Sequence, residues 1–134
     1  MADLIDTSLW IDYSRVKSPR ALKEFVAPFI WDADAFLAEP VVFEMLRCAS
    51  EAEKNLLMRS FELMPMLETP RSLWTSAAEL GQKCRAQKLT MGALDLLVAS
   101  VALRHDARVV TFDSDFAKIA EVCALRVHLL ARPQ

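Results

Sequence analysis

At 134 residues, 54% of them apolar and 25% charged, the chain has the size of one domain and enough apolar surface for a core, which excludes a disordered protein. A net charge of −2 argues against a protein that coats nucleic acid through bulk positive charge. No apolar run approaches the roughly 20 residues of a membrane span, and the early acids of MADLID leave no basic leader region, so a cytoplasmic protein without a membrane anchor is expected.

Along the chain, DLI reads as a short strand that stops at the polar DTS, and SLWIDYSR as a short helix. In SPRALKEFVAPF, Ser18 is the expected N-cap and Pro19 the first helical residue, with Leu22, Phe25, Val26 and Phe29 on the apolar face. A turn and a brief strand around Phe36 and Leu37 follow, then a helix PVVFEMLRCA with Pro40 in its first turn. Ser50 and Glu53 make a capping box for a helix that runs toward Pro65. Thr69-Pro70 opens the next helix, whose inward face is Leu73, Trp74, Ala77 and Leu80. GALDLLVASVALR is apolar on most sides and is expected to be buried. RVVTF is then a strand, SDFAKIAEV a short helix with Phe116, Ile119 and Ala120 inward, and LRVHLL a last strand. Strands alternating with helices and no hairpin signals imply parallel β-α crossovers, hence an α/β sandwich with a sheet of four or five strands.

Cys48, Cys84 and Cys123 are odd in number and widely spaced, and read as reduced thiols in the core or partly buried. With only His105 and His128 beside them, zinc is a poor fit.

Acidic residues in apolar contexts carry the chemistry. Asp6 follows Leu4-Ile5 at a strand end, where it either caps the helix starting at Ser8 or faces a cleft. Glu44 lies among Val41, Val42, Phe43, Met45 and Leu46, on a solvent face or turned into a cleft. Asp95 falls in the first turn of the buried helix, where the dipole favours an anion. If buried there it requires a cationic partner; otherwise it caps that helix or meets solvent. Asp113 and Asp115, in TFDSDF, either form an Asp-Ser-Asp turn and cap or belong to a site.

The α/β order predicts convergence, because open parallel sheets gather function outside the carboxyl ends of their strands. Asp6 and Asp113 each end a strand and so share a rim. Three or four carboxylates in one cleft do not all stay ionised without a divalent cation. Oxygen-only ligands favour Mg²⁺, with Mn²⁺ as a substitute. Such a site polarises a phosphoryl oxygen and lowers the pKa of a bound water, so metal-assisted phosphodiester hydrolysis is the reaction class. No glycine-rich phosphate loop, Ser-His-Asp order or dinucleotide fingerprint competes.

Over essentially its whole length the sequence resembles the PIN-domain nucleases, and more narrowly the VapC-type toxins of toxin–antitoxin pairs. LIDTSLWIDYSR is similar to that family's opening strand and first acid, EPVVFEMLRCA to its Glu-bearing helix, and LDLLVASVALRHDARVVTFDSDF to its third and fourth acids in order. The resemblance implies one PIN domain over residues 1–134, folded as a three-layer α/β/α sandwich around a parallel sheet. It implies Asp6, Glu44, Asp95 and Asp113 as the catalytic set. Asp6 and Asp95 would be the principal metal ligands, while Glu44 and Asp113 complete the pocket by binding metal or orienting water. Asp115 is auxiliary and ranks behind Asp113, with Thr111 bonded to an acid and Ser8 beside them. It further implies Mg²⁺-dependent cleavage of RNA to leave a 5′-phosphate, a homodimer, and neutralisation by a VapB-type antitoxin through which alone DNA is contacted.

Two positions depart from the family pattern. Cys48 and Asp106 stand where glycine is common, although Asp tolerates a left-handed cap. Arg15 and Lys17, near Arg20, are the basic residues expected to guide RNA; Lys83, Arg85 and Lys88 form a second cluster. Trp10, Trp31 and Trp74 are expected in the core or a dimer interface rather than stacked on bases. The competing readings are a catalytically silent PIN-like module that binds RNA or protein, which four intact acids disfavour, and an aspartyl-phosphate enzyme, whose second acid would stand where Ser8 is.

Overall fold

A computed structural model describes all 134 residues. Five parallel strands form one sheet in the order β3-β2-β1-β4-β5. They are β1 (Asp3–Ile5), β2 (Ala35–Ala38), β3 (Met66–Leu67), β4 (Arg108–Thr111) and β5 (Arg126–Leu129). Seven helices connect them: α1 (Thr7–Ser14), α2 (Arg20–Ile30), α3 (Glu39–Cys48), α4 (Glu51–Glu62), α5 (Leu73–Ala86), α6 (Ala93–Arg104) and α7 (Asp115–Ile119). Successive strand residues point to opposite faces of a sheet. Leu4 and Ile5 are both fully buried, as are Val109 and Val110, so helices cover both faces and the sandwich has three layers.

The chain leaves β1 toward β2 on one side and returns to β4 on the other, so strand order reverses between β1 and β4. Ile5 pairs with Val110 at that junction, and the Asp6 amide donates to the Val110 carbonyl at 3.0 Å. Residues just past both strands therefore share one crevice.

The expected helices form, with adjusted ends. The Ser50–Glu53 box is present, its two hydrogen bonds at 3.3 and 3.0 Å. The α6 segment Val98–Ala102 is buried on every side. Asp106, at φ 51°, closes α6 in the left-handed conformation foreseen for it. The Ala107 and Asp106 amides there bond back to the Ala102 and Leu103 carbonyls, a Schellman arrangement. Lys88, at φ 62°, ends α5 in the same way, so two such caps are built without glycine.

Several expectations need correction. Ser18 does not cap α2; Pro19 occupies the cap position, and its carbonyl accepts from the Leu22 and Lys23 amides. Thr69 does not cap α5, which begins at Leu73 after a turn that bonds the Leu73 amide to the Pro70 carbonyl. Trp74 lies 62% exposed, because the inward face of α5 is carried by Leu73, Ala77, Leu80 and Cys84. Trp31 is also exposed, which leaves Trp10 as the tryptophan of the core. Among the thiols, Cys84 is buried and Cys123 half-buried, whereas Cys48 is exposed at the end of α3. No helix is long and apolar enough to cross a membrane.

Candidate metal site

Asp6 occupies the first position past β1, and one carboxylate serves two purposes there. It caps α1, and it faces the crevice. Its Oδ2 accepts from the Thr111 hydroxyl at 2.7 Å, the Ser8 hydroxyl at 2.9 Å and the Ser8 amide at 3.3 Å. All three of these bonds land on Oδ2. The Ser8 and Thr111 hydroxyls lie 3.3 Å apart. Each spends its single proton on Asp6, which leaves their oxygens free as acceptors. Ser8 Oγ uses that capacity on the Phe112 amide at 3.0 Å, and Thr111 Oγ1 on the Asp113 amide at 2.8 Å. These two small side chains thus tie the end of β1 to the turn after β4. Burial pushes the Asp6 carboxyl above its ordinary pKa, against the opposing pull of the hydroxyl bonds.

The TFDSDF turn holds the other strand-end acids. Asp113 Oδ1 accepts from the Asp115 amide at 2.9 Å, an Asx turn that starts α7 and fixes the Asp113 carboxylate. Asp95 comes from the first turn of α6, after Gly92 at the cap. Ligand oxygens of Asp95, Asp113 and Asp115 all lie within 4.8 Å of one another, each residue half-buried. The tight three-carboxylate group thus includes Asp115, which the sequence ranked behind Asp113.

Asp6 and Glu44 complete the surroundings electrostatically. Asp95 is pushed up to about 7, first by burial and then by the charges of Asp113, Asp6, Glu44 and Asp115. No hydrogen bond offsets that shift. Lys118 reaches Asp115 at 3.5 Å, with about half of each side chain in solvent. Glu44 also lines a surface groove with Arg15 and Arg47, whereas Lys17 lies farther along, beside Val16 and Ser50. Of the two basic residues expected to guide RNA, Arg15 therefore adjoins an acid of the cluster.

A hard divalent cation fits this donor set. The oxygens are all carboxylate, the three closest can share one ion, and no basic side chain is buried among them. A sequence model of the PIN domain matches residues 4–122. The chain belongs to the PIN-domain family.

Within the family it stands with the VapC proteins. It is 32% identical over 128 residues to the VapC ribonuclease Mb1587 of Mycobacterium bovis, covering 92% of this chain and 95% of that protein. Ribonuclease VapC11 of Mycobacterium tuberculosis matches to the same extent. Among solved structures, VapBC of Salmonella typhimurium bound to DNA superposes with a TM-score of 0.74 at 14% identity, over 96% of this chain and 97% of that one. VapBC2 of Rickettsia felis bound to a promoter DNA fragment gives 0.72 at 16% identity, over 98% and 100%. At such identities these structures speak to the fold, and they share this PIN architecture.

Two residues near the site, Asp12 and Arg132, have no signal in the sequence. They pair across 120 positions at 2.8 Å, a separation no local spacing rule spans.

Proposed function

We propose that this PIN domain is a divalent-cation-dependent endoribonuclease, the toxin of a VapBC-type toxin–antitoxin pair. One observation carries the chemistry: five carboxylates from the end of β1, α3, α6 and the β4–α7 turn act on one another with no buried counter-ion, and burial together with their repulsion raises Asp95 to about 7. Asp6, Asp95 and Asp113 are the proposed ligands, with Asp115 close enough to join them, and Glu44 flanks the pocket. Mg²⁺ is the proposed ion, with Mn²⁺ able to replace it. Bound there, the cation would supply polarisation of a phosphoryl oxygen and activation of water for attack on a phosphodiester. The chain's own part is preorganisation. Ser8 and Thr111 hold the Asp6 carboxylate through Oδ2, and the Asx turn holds the backbone of Asp113 and Asp115 at fixed spacing. Ionised Asp95 lies at the positive end of α6.

The relatives' names support RNA as substrate, and the VapBC neighbours support an antitoxin partner through which the complex meets DNA. A homodimer inside the cytoplasm belongs to the same proposal, with Arg15 and Lys17 as the basic residues flanking the RNA path. The test is cleavage of RNA by the purified chain freed of any antitoxin. Cutting in Mg²⁺ that leaves 5′-phosphates and stops in EDTA is expected; equal cutting in EDTA would overturn the metal mechanism. Growth arrest on expression of the chain alone, relieved by Asp6→Asn, is the corresponding outcome in cells, and unhindered growth at confirmed expression would overturn the toxin reading.

A further inference from the structure

The segment after β5, beyond the span that matches the PIN domain, packs against α1 and the end of β4. The Leu130 amide donates to the Thr111 carbonyl at 2.8 Å, which extends the β4–β5 pairing to the residue whose hydroxyl holds Asp6. Two residues later, Arg132 Nε donates to Asp12 Oδ2 at 2.8 Å. The same guanidinium lies over the Phe112 ring, 4.4 Å from its centroid. Phe112 stacks on Phe25 of α2 with centroids 6.2 Å apart and gives its amide to Ser8 Oγ.

Phe112 sits between Thr111, which bonds Asp6, and Asp113, which bonds the Asp115 amide. A group that fixes Phe112 therefore fixes the backbone from which two clustered acids project. Asp12 lies one helical turn past Ser8 on α1, so the anchor of this group is the helix that Asp6 caps. Asp12 is 8% exposed, and Arg132 is the cation bonded to it. A carboxylate so covered is costly without its partner, so the Asp12–Arg132 pair forms only when the tail is docked. A guanidinium, planar and weakly hydrated, can pair with a carboxylate and stack on an aromatic face at once.

We propose that Arg132 is a positioning residue for the acidic cluster: with Asp12 as anchor and Phe112 as lever, it latches the 111–115 turn against α1. The inference rests on the nuclease reading for its kinetic consequence, though not for its structural one.

The test compares the full chain with Arg132→Gln, Arg132→Lys, Asp12→Asn and the double variant Asp12→Asn/Arg132→Gln. Amide hydrogen exchange in the metal-free protein is read at Asp113 and Asp115, with α4 as internal reference. Loss of the latch in Arg132→Gln should speed exchange at these two amides by about tenfold, leaving α4 unchanged. In RNA cleavage with Mg²⁺ the same variant should lose about tenfold in kcat with KM within about twofold, since the acids are misplaced while the hold on RNA is kept. Lysine, which pairs with Asp12 but stacks poorly, should restore part of both. The double variant should be no worse than Arg132→Gln, because both changes break one latch. It also keeps the test open if the lone buried carboxylate unfolds the single variant. Unchanged exchange at Asp113 and Asp115 would overturn the proposal. So would a raised KM at constant kcat, the mark of an arginine that merely grips an RNA phosphate. Should the wild-type chain fail to cut RNA, the nuclease reading falls while the exchange measurement still decides the latch.

Discussion

β1 is three residues long and begins and ends next to an aspartate in opposite circumstances. At its amino end Asp3 faces its register partner Arg108 on β4, whose guanidinium donates two bonds to the carboxylate at 3.0 and 3.1 Å. Arg126 of β5 pairs with Asp106 nearby, so that edge of the sheet alternates acid and base. At the carboxyl end Asp6 meets hydroxyls and backbone amides but no base, and the acids around it add charge of the same sign. One edge is neutral by construction; the other is left with a charge that something outside the chain must balance. Electrostatic imbalance held in place by a rigid scaffold is the mark of a working site rather than of a structural one.

The comparison predicts that substitutions at the two ends fail in different ways. The largest effect belongs to Asp95→Asn and Asp6→Asn. Each should cost RNA cleavage at least about a thousandfold, the scale of removing a charged element of transition-state stabilisation. Asp95→Asn should meanwhile raise the stability of the metal-free protein, since it deletes repulsion. Kinetics and thermal melts on the same samples check both halves, and a destabilised Asp95→Asn would break the contrast between the ends.

Thr111→Val comes next. Its hydroxyl is the shortest bond to Asp6 and also accepts from the Asp113 amide, so valine fills the space but strands two partners. Losses of about 10–100-fold in activity or Mn²⁺ affinity are expected, as for other groups that orient ligands. Calorimetric titration with Mn²⁺ measures the affinity directly.

Why Thr111 was legible in the sequence, and Arg132 was not, has a physical basis. A β-branched run ending in Thr-Phe-Asp announces a strand end, and strand ends in parallel sheets face the crevice. Local rules likewise reach the Ser50 capping box and the buried run of α6. They do not reach β3, whose two residues are a strand only because they pair with Leu37 and Ala38. Nor do they place Trp74, since helical periodicity gives an apolar stripe but not which edge of that stripe the neighbouring α6 covers. Asp115 belongs to the same class. Its closeness to Asp95 follows from an Asx turn and from the approach of α6, and only the folded chain brings the two together.

A third prediction concerns pH. The Asp95 pKa is about 7 when folded against 3.8 for the free side chain, so between those values the folded chain holds the extra proton. Stability of the metal-free protein is therefore greatest on the acid side of this window and declines as pH rises toward and through 7. Asp6, raised by burial, pulls the same way. Melting should fall by a few degrees from pH 5 to pH 8, and Asp95→Asn should flatten the slope. Mn²⁺ affinity should run oppositely, rising by about tenfold per pH unit while one proton is displaced. A wild-type melting curve flat across that window would mean that Asp95 is less buried, and the acids farther apart, than the crevice places them.

The smallest effect is expected at the balanced end, and it is the sharper control for being small. Asp3 and Arg108 keep 17% and 37% of their side-chain surface exposed, so solvent screens the pair and stands ready to receive the arginine if Asp3 is lost. Asp3→Asn should therefore cost about 1 kcal/mol, the scale of a partly exposed ion pair with good geometry. Much of that cost should vanish in about 1 M salt, where the screening length shrinks to about 3 Å. Mn²⁺ affinity and cleavage should stay at the wild-type level, because the strand between Asp3 and Asp6 is fully buried and transmits no freedom from one end to the other. If Asp3→Asn weakened Mn²⁺ binding as strongly as Thr111→Val, the two ends of β1 would be one cooperative electrostatic unit and not two separate designs.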